Sequence, residues 1–382
     1  MHRRDFLKTA LGSAVALAAV NLPQLGDAEN ESGAVNKAAR SGGPTSQKIR
    51  GVNLGAWLVL EKWMVPDVYR GTDAPDEYSL CLALGDGAKG RLNEHRESWV
   101  TADDFKWIAS SGLNAVRLPV GYWALEAPKP YVESGAYIDF ALDQAQKNGL
   151  KVLLDLHGAP GSQNGWDHSG RSGAIDWPKN PDNIKETLRV LESFAQKYGR
   201  HPSLLGIELL NEPRDVVPLE ILRQFYQDAY VRLRKYLNPE VAIVFHDSFR
   251  ALAWKKFMQE PAFSNVILDT HLYQCFDDAA RARTAQEHIA FAINRKTTLD
   301  VMQRDELPTI VGEWSLALPE QATRGLSPFQ IQSLKRAYAD TQLLGYEGTR
   351  GWFFWSYKLQ HNSEWNFRYC VEQGLLPQNF AV

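Results

Sequence analysis

From Lys48 onward the chain alternates between two hydrophobic rhythms. Short apolar runs, bounded by clusters of Gly, Asn and Pro, have the length and limits of buried strands. They fall at residues 50–54, 115–119, 152–156, 205–210, 242–245, 266–270, 309–312 and 351–355. Between them, apolar residues at three- and four-residue spacing predict helices over 102–111, 138–148, 183–198, 219–236, 285–300 and 328–343. Thr101 with Asp104 makes a capping-box-like start for the first of these, and Gly112 and Gly149 stand where helix C-terminal glycines belong.

About eight strand–helix units over roughly 330 residues match the size of a (β/α)8 TIM barrel with added loops. An open doubly wound sheet is the alternative, because alternation by itself does not establish closure. A single catalytic domain is expected over residues 48–382, with no internal linker or solenoid repeat. Residues 60–100 read as a long, irregular, extended loop after the first strand, placed to shape substrate access. Within that loop Gly85-Asp86-Gly87-Ala88-Lys89-Gly90 matches a dinucleotide-type glycine pattern. No clear strand precedes it, so the pattern is set aside.

The first residues read as an address. His2-Arg3-Arg4-Asp5-Phe6-Leu7-Lys8 is a twin-arginine pattern, followed by an apolar stretch over 10–20 that is too short to span a bilayer comfortably. Gly26-Asp27-Ala28 offers small residues for cleavage. The expectation is a twin-arginine signal peptide over 1–28, a flexible linker over 29–47 rich in Ser, Gly, Asn and Ala, and a periplasmic or secreted bacterial enzyme. An ordinary secretory signal or an uncleaved anchor is the competing reading. No later segment is apolar enough for stable membrane insertion.

Composition adds exclusions. The chain is 44% hydrophobic and 23% charged, ordinary for a soluble globular domain. A net charge of -3 without a basic run argues against a nucleic-acid partner. Twelve Trp and 14 Tyr fit a protein that stacks flat, weakly charged ligands. Cys81, Cys275 and Cys370 allow one disulfide with one thiol left over, and their spacing suggests no metal site. A metal-dependent hydrolase using His157, His246 and His271 is disfavoured, since no HxH pair or HExxH occurs. No cofactor is expected, and the chain is expected to be a monomer.

The chemistry gathers at the predicted strand ends, where a parallel barrel places its active site. In order these are Arg117, Asp155 with His157, Asn211-Glu212, His246-Asp247, His271 with Tyr273, Glu313 and Trp355. Each has a bland reading taken alone: a buried ion-pair partner, a satisfied core histidine, a helix cap or plain packing. Two carboxylates on different strands, Glu212 and Glu313, are what glycosidic cleavage requires: an acid for the leaving oxygen and a carboxylate on the other face of the ring. Arg117 and the Tyr273 hydroxyl would keep Glu313 anionic, and Glu212 would hold the proton. Asn211 could donate to the sugar 2-hydroxyl, and Trp355 could form the floor under a sugar face.

Together these residues resemble the retaining glycosidases of glycoside hydrolase family 5, in clan A. The family's eight functional positions (Arg, His, Asn, Glu, His, Tyr, Glu, Trp) correspond to Arg117, His157, Asn211, Glu212, His271, Tyr273, Glu313 and Trp355. The resemblance spans Lys48 to the end. It implies Glu212 as acid/base and Glu313 as nucleophile. The segments Arg50-Gly51-Val52-Asn53-Leu54-Gly55-Ala56-Trp57-Leu58-Val59-Leu60-Glu61 and Asp155-Leu156-His157-Gly158-Ala159-Pro160-Gly161-Ser162-Gln163-Asn164-Gly165-Trp166-Asp167 are similar to the exo-β-1,3-glucanase branch. That likeness implies terminal-glucose binding by Glu61 and Asp167, and an entrance clamp of Trp166 and Phe276. Ala56, Lys62, Trp166 and His168 depart from the branch pattern, the last two at the pocket rim. The expected partner is a β-glucan or its oligosaccharide. Endo-acting β-1,4-glucanase or mannanase action, transglycosylation, and a carbohydrate-binding barrel without turnover are the alternatives.

Overall fold

The computed structural model describes residues 47–304 and 307–381. The signal segment and all of the expected linker but its last residue lie outside the described residues. Eight strands run in sequence order: β1 (Ile49–Asn53), β2 (Ala115–Gly121), β3 (Lys151–Gly158), β4 (Leu204–Glu208), β5 (Ala242–His246), β6 (Val266–Leu272), β7 (Thr309–Trp314) and β8 (Gly351–Phe354). Each pairs in parallel with the next, and β1 pairs with β8, so the barrel is closed and the open-sheet alternative is excluded.

The helices are α1 (Glu77–Leu84), α2 (Ala88–Trp99), α3 (Ala102–Ser110), α4 (Gly135–Lys147), α5 (Pro181–Tyr198), α6 (Leu219–Leu233), α7 (Asp278–Ala282), α8 (Ala285–Arg304), α9 (Glu320–Thr323), α10 (Pro328–Tyr346) and α11 (Phe367–Glu372). The six predicted helices are all present within a few residues. Thr101 and Asp104 form the reciprocal capping box of α3, and Gly112 and Gly149 hold φ of 84° and 71° after α3 and α4. The alternation is less regular than the sequence suggests. A single 3₁₀ turn, Ala251–Trp254, lies between β5 and β6, and α11 after β8 is short.

The strands are apolar on both faces because both faces are buried. Val116, Val152, Leu154 and Ile243 face the surrounding helices, joining Leu142, Leu191 and Phe225 in the main core. Ile49, Ala115, Leu153, Leu205, Ala242, Val244, Ile267, Ile310 and Phe353 form a separate cluster that plugs the barrel. Side chains alternate along a strand, so positions two apart share a face. Moving up from the plug, Ala115 gives way to Arg117, Leu153 to Asp155 and His157, Val244 to His246, and Ile267 to Asp269 and His271. The interior thus changes from hydrocarbon to ionisable groups toward the strand C-termini.

Residues 60–100 are not irregular. They carry α1 and α2 together with two 3₁₀ turns. Asp76 caps α1 by accepting from the Ser79 N–H at 2.8 Å. Leu80, Cys81, Ala88 and Leu92 pack with Leu60, Met64, Tyr69 and Trp355 in a second apolar cluster at the barrel mouth. The helical pattern is hidden because the buried face also carries charge. Glu77 and Arg96 are both fully buried and 3.5 Å apart. Glu77 also accepts from the Leu60 N–H and from Trp123 Nε1, while Arg96 donates to the Glu133 and Val132 carbonyls. None of the three cysteines is in a disulfide, and Cys81 and Cys370 are buried thiols.

Candidate active site

Arg117 is the hub of the barrel mouth. Completely buried, it donates from Nε and Nη2 to the two oxygens of Glu208 at 2.7 and 3.0 Å. Nη2 also reaches Asn211 Oδ1 at 2.8 Å and Asp155 Oδ2 at 3.1 Å. Nη1 donates to Asn53 Oδ1 at 2.9 Å and to Glu313 Oε1 at 3.2 Å. One planar guanidinium thereby ties β1, β2, β3, β4 and β7 together. With Asn211 Oδ1 held by Arg117, its amide nitrogen faces His157 Nε2 at 3.4 Å. His157 Nδ1 lies 2.6 Å from Asp155 Oδ2, and its ring stacks on Trp355, with centroids 5.5 Å apart and planes 9° from parallel.

The two glutamates meet at His271. Its Nδ1 is 2.8 Å from Glu212 Oε1 and 3.5 Å from Glu313 Oε2. The Tyr273 hydroxyl donates to that same Glu313 oxygen at 2.8 Å. Because one nitrogen touches both carboxylates, the two facing oxygens cannot be farther apart than those contacts allow. That fits the retaining gap of roughly 5–5.5 Å better than the inverting gap of roughly 6.5–9.5 Å.

Two backbone features aim the pair. β4 ends at Glu208, four residues earlier than Glu212, so Glu212 stands in the following loop. It holds φ of 43°, a left-handed conformation uncommon for a residue with a side chain and characteristic of functional sites. On β7 the register shifts opposite His271, from Thr270 against Val311 to His271 against Glu313, leaving Gly312 as the bulged residue. A Cβ at Gly312 would lie 1.9 Å from Asp269 Oδ2, and the Gly312 N–H donates to Asp269 Oδ1 at 2.6 Å. The bulge lets Asp269 sit against the β7 backbone while Glu313 turns into the mouth.

Burial lifts the Glu313 carboxyl to about 7. The His271 cation pulls it down, Glu212 pushes it up, and Arg117 and Tyr273 pull it down further. Both donors expected to keep Glu313 bare are in place, yet burial beside a second carboxylate outweighs them. The pair therefore retains a proton near neutral pH, shared between interacting groups. For His271, burial favours the neutral ring. The opposing charges of Glu313 and Asp269, with hydrogen bonds to Asp269 and Glu212, prevail and raise its pKa well above the usual value.

The rim residues stand on both sides of the pair. On the Glu212 side, buried His168 lies 3.4 Å from Glu212 Oε2, and its ring contacts Trp166 at 5.4 Å. Trp166 meets Phe249 edge-on at 6.1 Å, and the Arg214 guanidinium stands 5.6 Å from its ring. Asp167, half-buried, opens the turn Asp167–Ser169 beside it. On the Glu313 side, Phe276 packs on Tyr273 at 5.3 Å and on Trp365 at 5.9 Å. Trp365 continues to Trp63 at 5.5 Å, and Trp63 Nε1 donates to the buried Glu61 at 2.7 Å. Trp166 and Phe276, the expected entrance clamp, are thus each linked through one side chain to a different carboxylate.

Comparison with known proteins agrees with this architecture. The model of the family described as Cellulase (glycosyl hydrolase family 5) matches residues 85–358. The chain belongs to glycosyl hydrolase family 5. It is 40% identical over 379 residues to a glucan 1,3-beta-glucosidase of Blumeria graminis, covering 87% of each chain. It is 38% identical over 384 residues to the glucan 1,3-beta-glucosidase of Candida oleophila, covering 87% of this chain and 89% of that one. The crystal structure of a rutinosidase from Aspergillus niger superposes with a TM-score of 0.74 at 22% identity, over 87% of this chain and 98% of that one, a likeness of fold. The protein is a glycoside hydrolase with a closed (β/α)8 barrel.

Among the described residues of this family 5 barrel, two clusters bring metal-ligand atoms within 4.8 Å of one another: Glu212, His246 and His271, and Glu208, Asp269 and His271. His271 does not suit a metal. Nδ1 faces Glu212 and Nε2 faces Asp269 at 3.3 Å, so both ring nitrogens are engaged with carboxylates, and the charges of Glu313 and Asp269 raise the ring's pKa, so a metal would have to displace a proton favoured there. Sequence reasoning missed Asn53, Glu208, Asp269, Trp63 and Trp365. The available signal was an acid inside an apolar run, as in Leu205-Gly206-Ile207-Glu208-Leu209, which demands a buried cation such as Arg117.

Proposed function

We propose that this hydrolase cleaves β-1,3-glucan or its oligosaccharides from the chain end, with retention, using Glu313 as nucleophile and Glu212 as acid/base. The observation that carries the assignment is that His271 Nδ1 faces both carboxylates while Arg117 donates to Glu313 Oε1 and Tyr273 to Glu313 Oε2. A nucleophile needs its carboxylate oriented and its charge supported, and Glu313 has those donors. The contact of Glu212 with His168, which packs on the rim residue Trp166, supports Glu212 as the residue that protonates the leaving group. Glu313 attacks the anomeric carbon as Glu212 protonates the departing oxygen. Water then displaces Glu313 while giving its proton to Glu212. Asn211 donates to the 2-hydroxyl, His157 and Trp355 form the floor, and Glu61 with Asp167 holds the terminal glucose.

The β-1,3 preference is supported by the names of the relatives above, and exo action by the α1–α2 insertion packed beside buried Glu61. A hydrolysis panel of β-1,3, β-1,4 and β-1,6 glucans with product size resolved tests both. Single glucose units from laminarin are expected, and a ladder of oligosaccharides or a preference for β-1,4 chains would overturn the reading.

Among the described residues no helix is long and apolar enough to cross a membrane. The twin-arginine pattern of His2 to Lys8 supports export of the folded enzyme by that route, although the relatives named above are fungal. Replacing Arg3 and Arg4 by Lys in a bacterial host should leave activity in the cytoplasmic fraction. Unchanged export would remove this assignment.

A further inference from the structure

His246 closes β5, is completely buried, and has no part in the chemistry above. Two residues on, Ser248 and Phe249 hold φ of 55° and 57°, consecutive left-handed positions without a glycine. Such a turn is sterically disfavoured and persists only where its surroundings impose it. Here they do. The Ser248 N–H donates to His246 Nδ1 at 2.9 Å, and the Phe249 N–H donates to Asp247 Oδ1 at 2.7 Å. Asp247 Oδ2 accepts from the Thr270 hydroxyl at 2.8 Å, and Arg250 Nη2 donates to Ser248 Oγ at 2.9 Å.

A backbone N–H aimed at Nδ1 needs a lone pair there, so the neutral ring carries its proton on Nε2. The ring is kept neutral by burial and by the nearby charges of His271 and Arg117, which drive its pKa well down. Nε2 is buried and finds no hydrogen-bond partner among the described residues. The ring meets His271 edge-on, with centroids 4.4 Å apart. One nitrogen of His246, one oxygen of Glu212 and one nitrogen of His271 lie within 4.8 Å of one another.

A buried donor left without an acceptor is costly and calls for a reason. The reaction supplies one, because Glu212 gains negative charge when it surrenders its proton. We propose that His246 is a positioning residue for the acid/base, its Nε2–H reserved for the Glu212 carboxylate in the charged state. The inference rests on the reading of Glu212 given above. In the first step the Glu212 proton passes to the glycosidic oxygen, the C–O bond breaks, and Glu313 bonds to the anomeric carbon. His246 then donates a hydrogen bond to the new anion and keeps its own proton. In the second step a water oxygen displaces Glu313, and the water proton returns to Glu212. The other ionisable groups around the pair are His271 and Asp269 from β6, Glu313 from β7, Arg117 from β2, Asp155 from β3, His168 from the loop after β3, Glu208 from β4, and Asp247 next to His246.

The test compares His246→Phe, which keeps a ring without the donor, with His246→Gln, which restores an N–H donor. Each is assayed on laminaribiose, whose departing sugar needs a proton, and on 2,4-dinitrophenyl β-glucoside, whose leaving group does not. For His246→Phe, kcat/KM on laminaribiose should fall about tenfold or more, with little change on the aryl glucoside. The basic limb of the laminaribiose pH profile should move to higher pH, because an unsupported Glu212 anion holds its proton more tightly. His246→Gln should recover most of both effects. Equal losses on the two substrates, or an unmoved basic limb in a variant with unchanged thermal unfolding, would overturn the proposal. Should His246→Phe fail to fold, an aryl-glucoside profile and a basic limb of His246→Gln displaced from wild type in the Phe-like sense would likewise overturn it. Glu212→Ala, assayed in parallel, separates the premise. If it loses both substrates equally, the acid/base assignment fails independently of His246.

Discussion

Arg117 Nη1 donates to Glu313 Oε1 across 3.2 Å, with the arginine wholly buried and the glutamate 4% exposed. The same guanidinium serves Glu208, Asn211, Asp155 and Asn53, so one cation both orients the proposed nucleophile and balances the acids beneath it. Replacing it with an uncharged residue would leave several buried carboxylates uncompensated. Arg117→Met should cost about 3–5 kcal/mol of stability in urea unfolding, along with loss of activity. An unchanged unfolding midpoint would sink the idea that Arg117 organises the mouth.

Glu313→Ala and Glu212→Ala should fail in different ways. Loss of Glu313, the proposed nucleophile, should lower kcat/KM about 10⁴-fold or more on every β-glucoside. Loss of Glu212, the proposed acid, should cost about 10²–10⁴-fold on laminarin and much less on 2,4-dinitrophenyl β-glucoside. Azide should restore turnover to Glu212→Ala as glucosyl azide, since azide needs no base. Near-wild-type hydrolysis of laminarin by either variant would falsify the mechanism.

Gly312 is a steric requirement. Its Cβ would fall on the Asp269 carboxylate, which in turn faces His271. Gly312→Ala should lower stability by about 1–3 kcal/mol by overpacking. A displaced Glu313 should also lower kcat about 10²-fold. Thermal unfolding and kinetics on one aryl glucoside measure both, and a fully active, fully stable variant would show that the bulge is incidental.

Stability should fall as pH rises. Burial pushes Glu313 and Asp155 to about 7, and Asp247 and Asp269 to about 6. An unfolded carboxyl releases its proton near about 4, so over the window from about 4 to 7 the folded state binds more protons and loses stability with each rise in pH. His271 acts in the same direction. Its raised pKa contributes stability that is fully present below the unfolded value and lost as pH climbs through the folded one. The unfolding temperature of the ligand-free enzyme should be higher at pH 5 than at pH 8. A higher value at pH 8 would contradict the proposed protonation of the mouth.

Much of the site was legible because barrel chemistry concentrates where strands end. His157, His271 and Glu313 were readable as polar residues terminating apolar runs, and each sits at a strand's last positions. Glu212 was readable by the same logic, although it stands in a left-handed loop position after β4 rather than on the strand. Glu208 and Asp269 were not readable in that way. They lie within apolar runs, and their acceptor roles depend on donors from other strands: Arg117 of β2 for Glu208, and the Gly312 N–H of β7 for Asp269, which also faces His271 along its own strand. The helices α1 and α2 escaped notice because their buried face includes Glu77, His95 and Arg96, which blur the apolar stripe.

The linear chain by itself determined the strand–helix alternation, the ionisable residues at the strand ends and the two glutamates. Each of these is written in local periodicity and in where that periodicity stops. Only the tertiary structure decided which acid shares which cation, that the sheet closes with β1 on β8, and that one His271 nitrogen faces both Glu212 and Glu313. Those outcomes depend on contacts between residues tens to hundreds of positions apart, and on burial, which sets how strongly neighbouring charges act on one another.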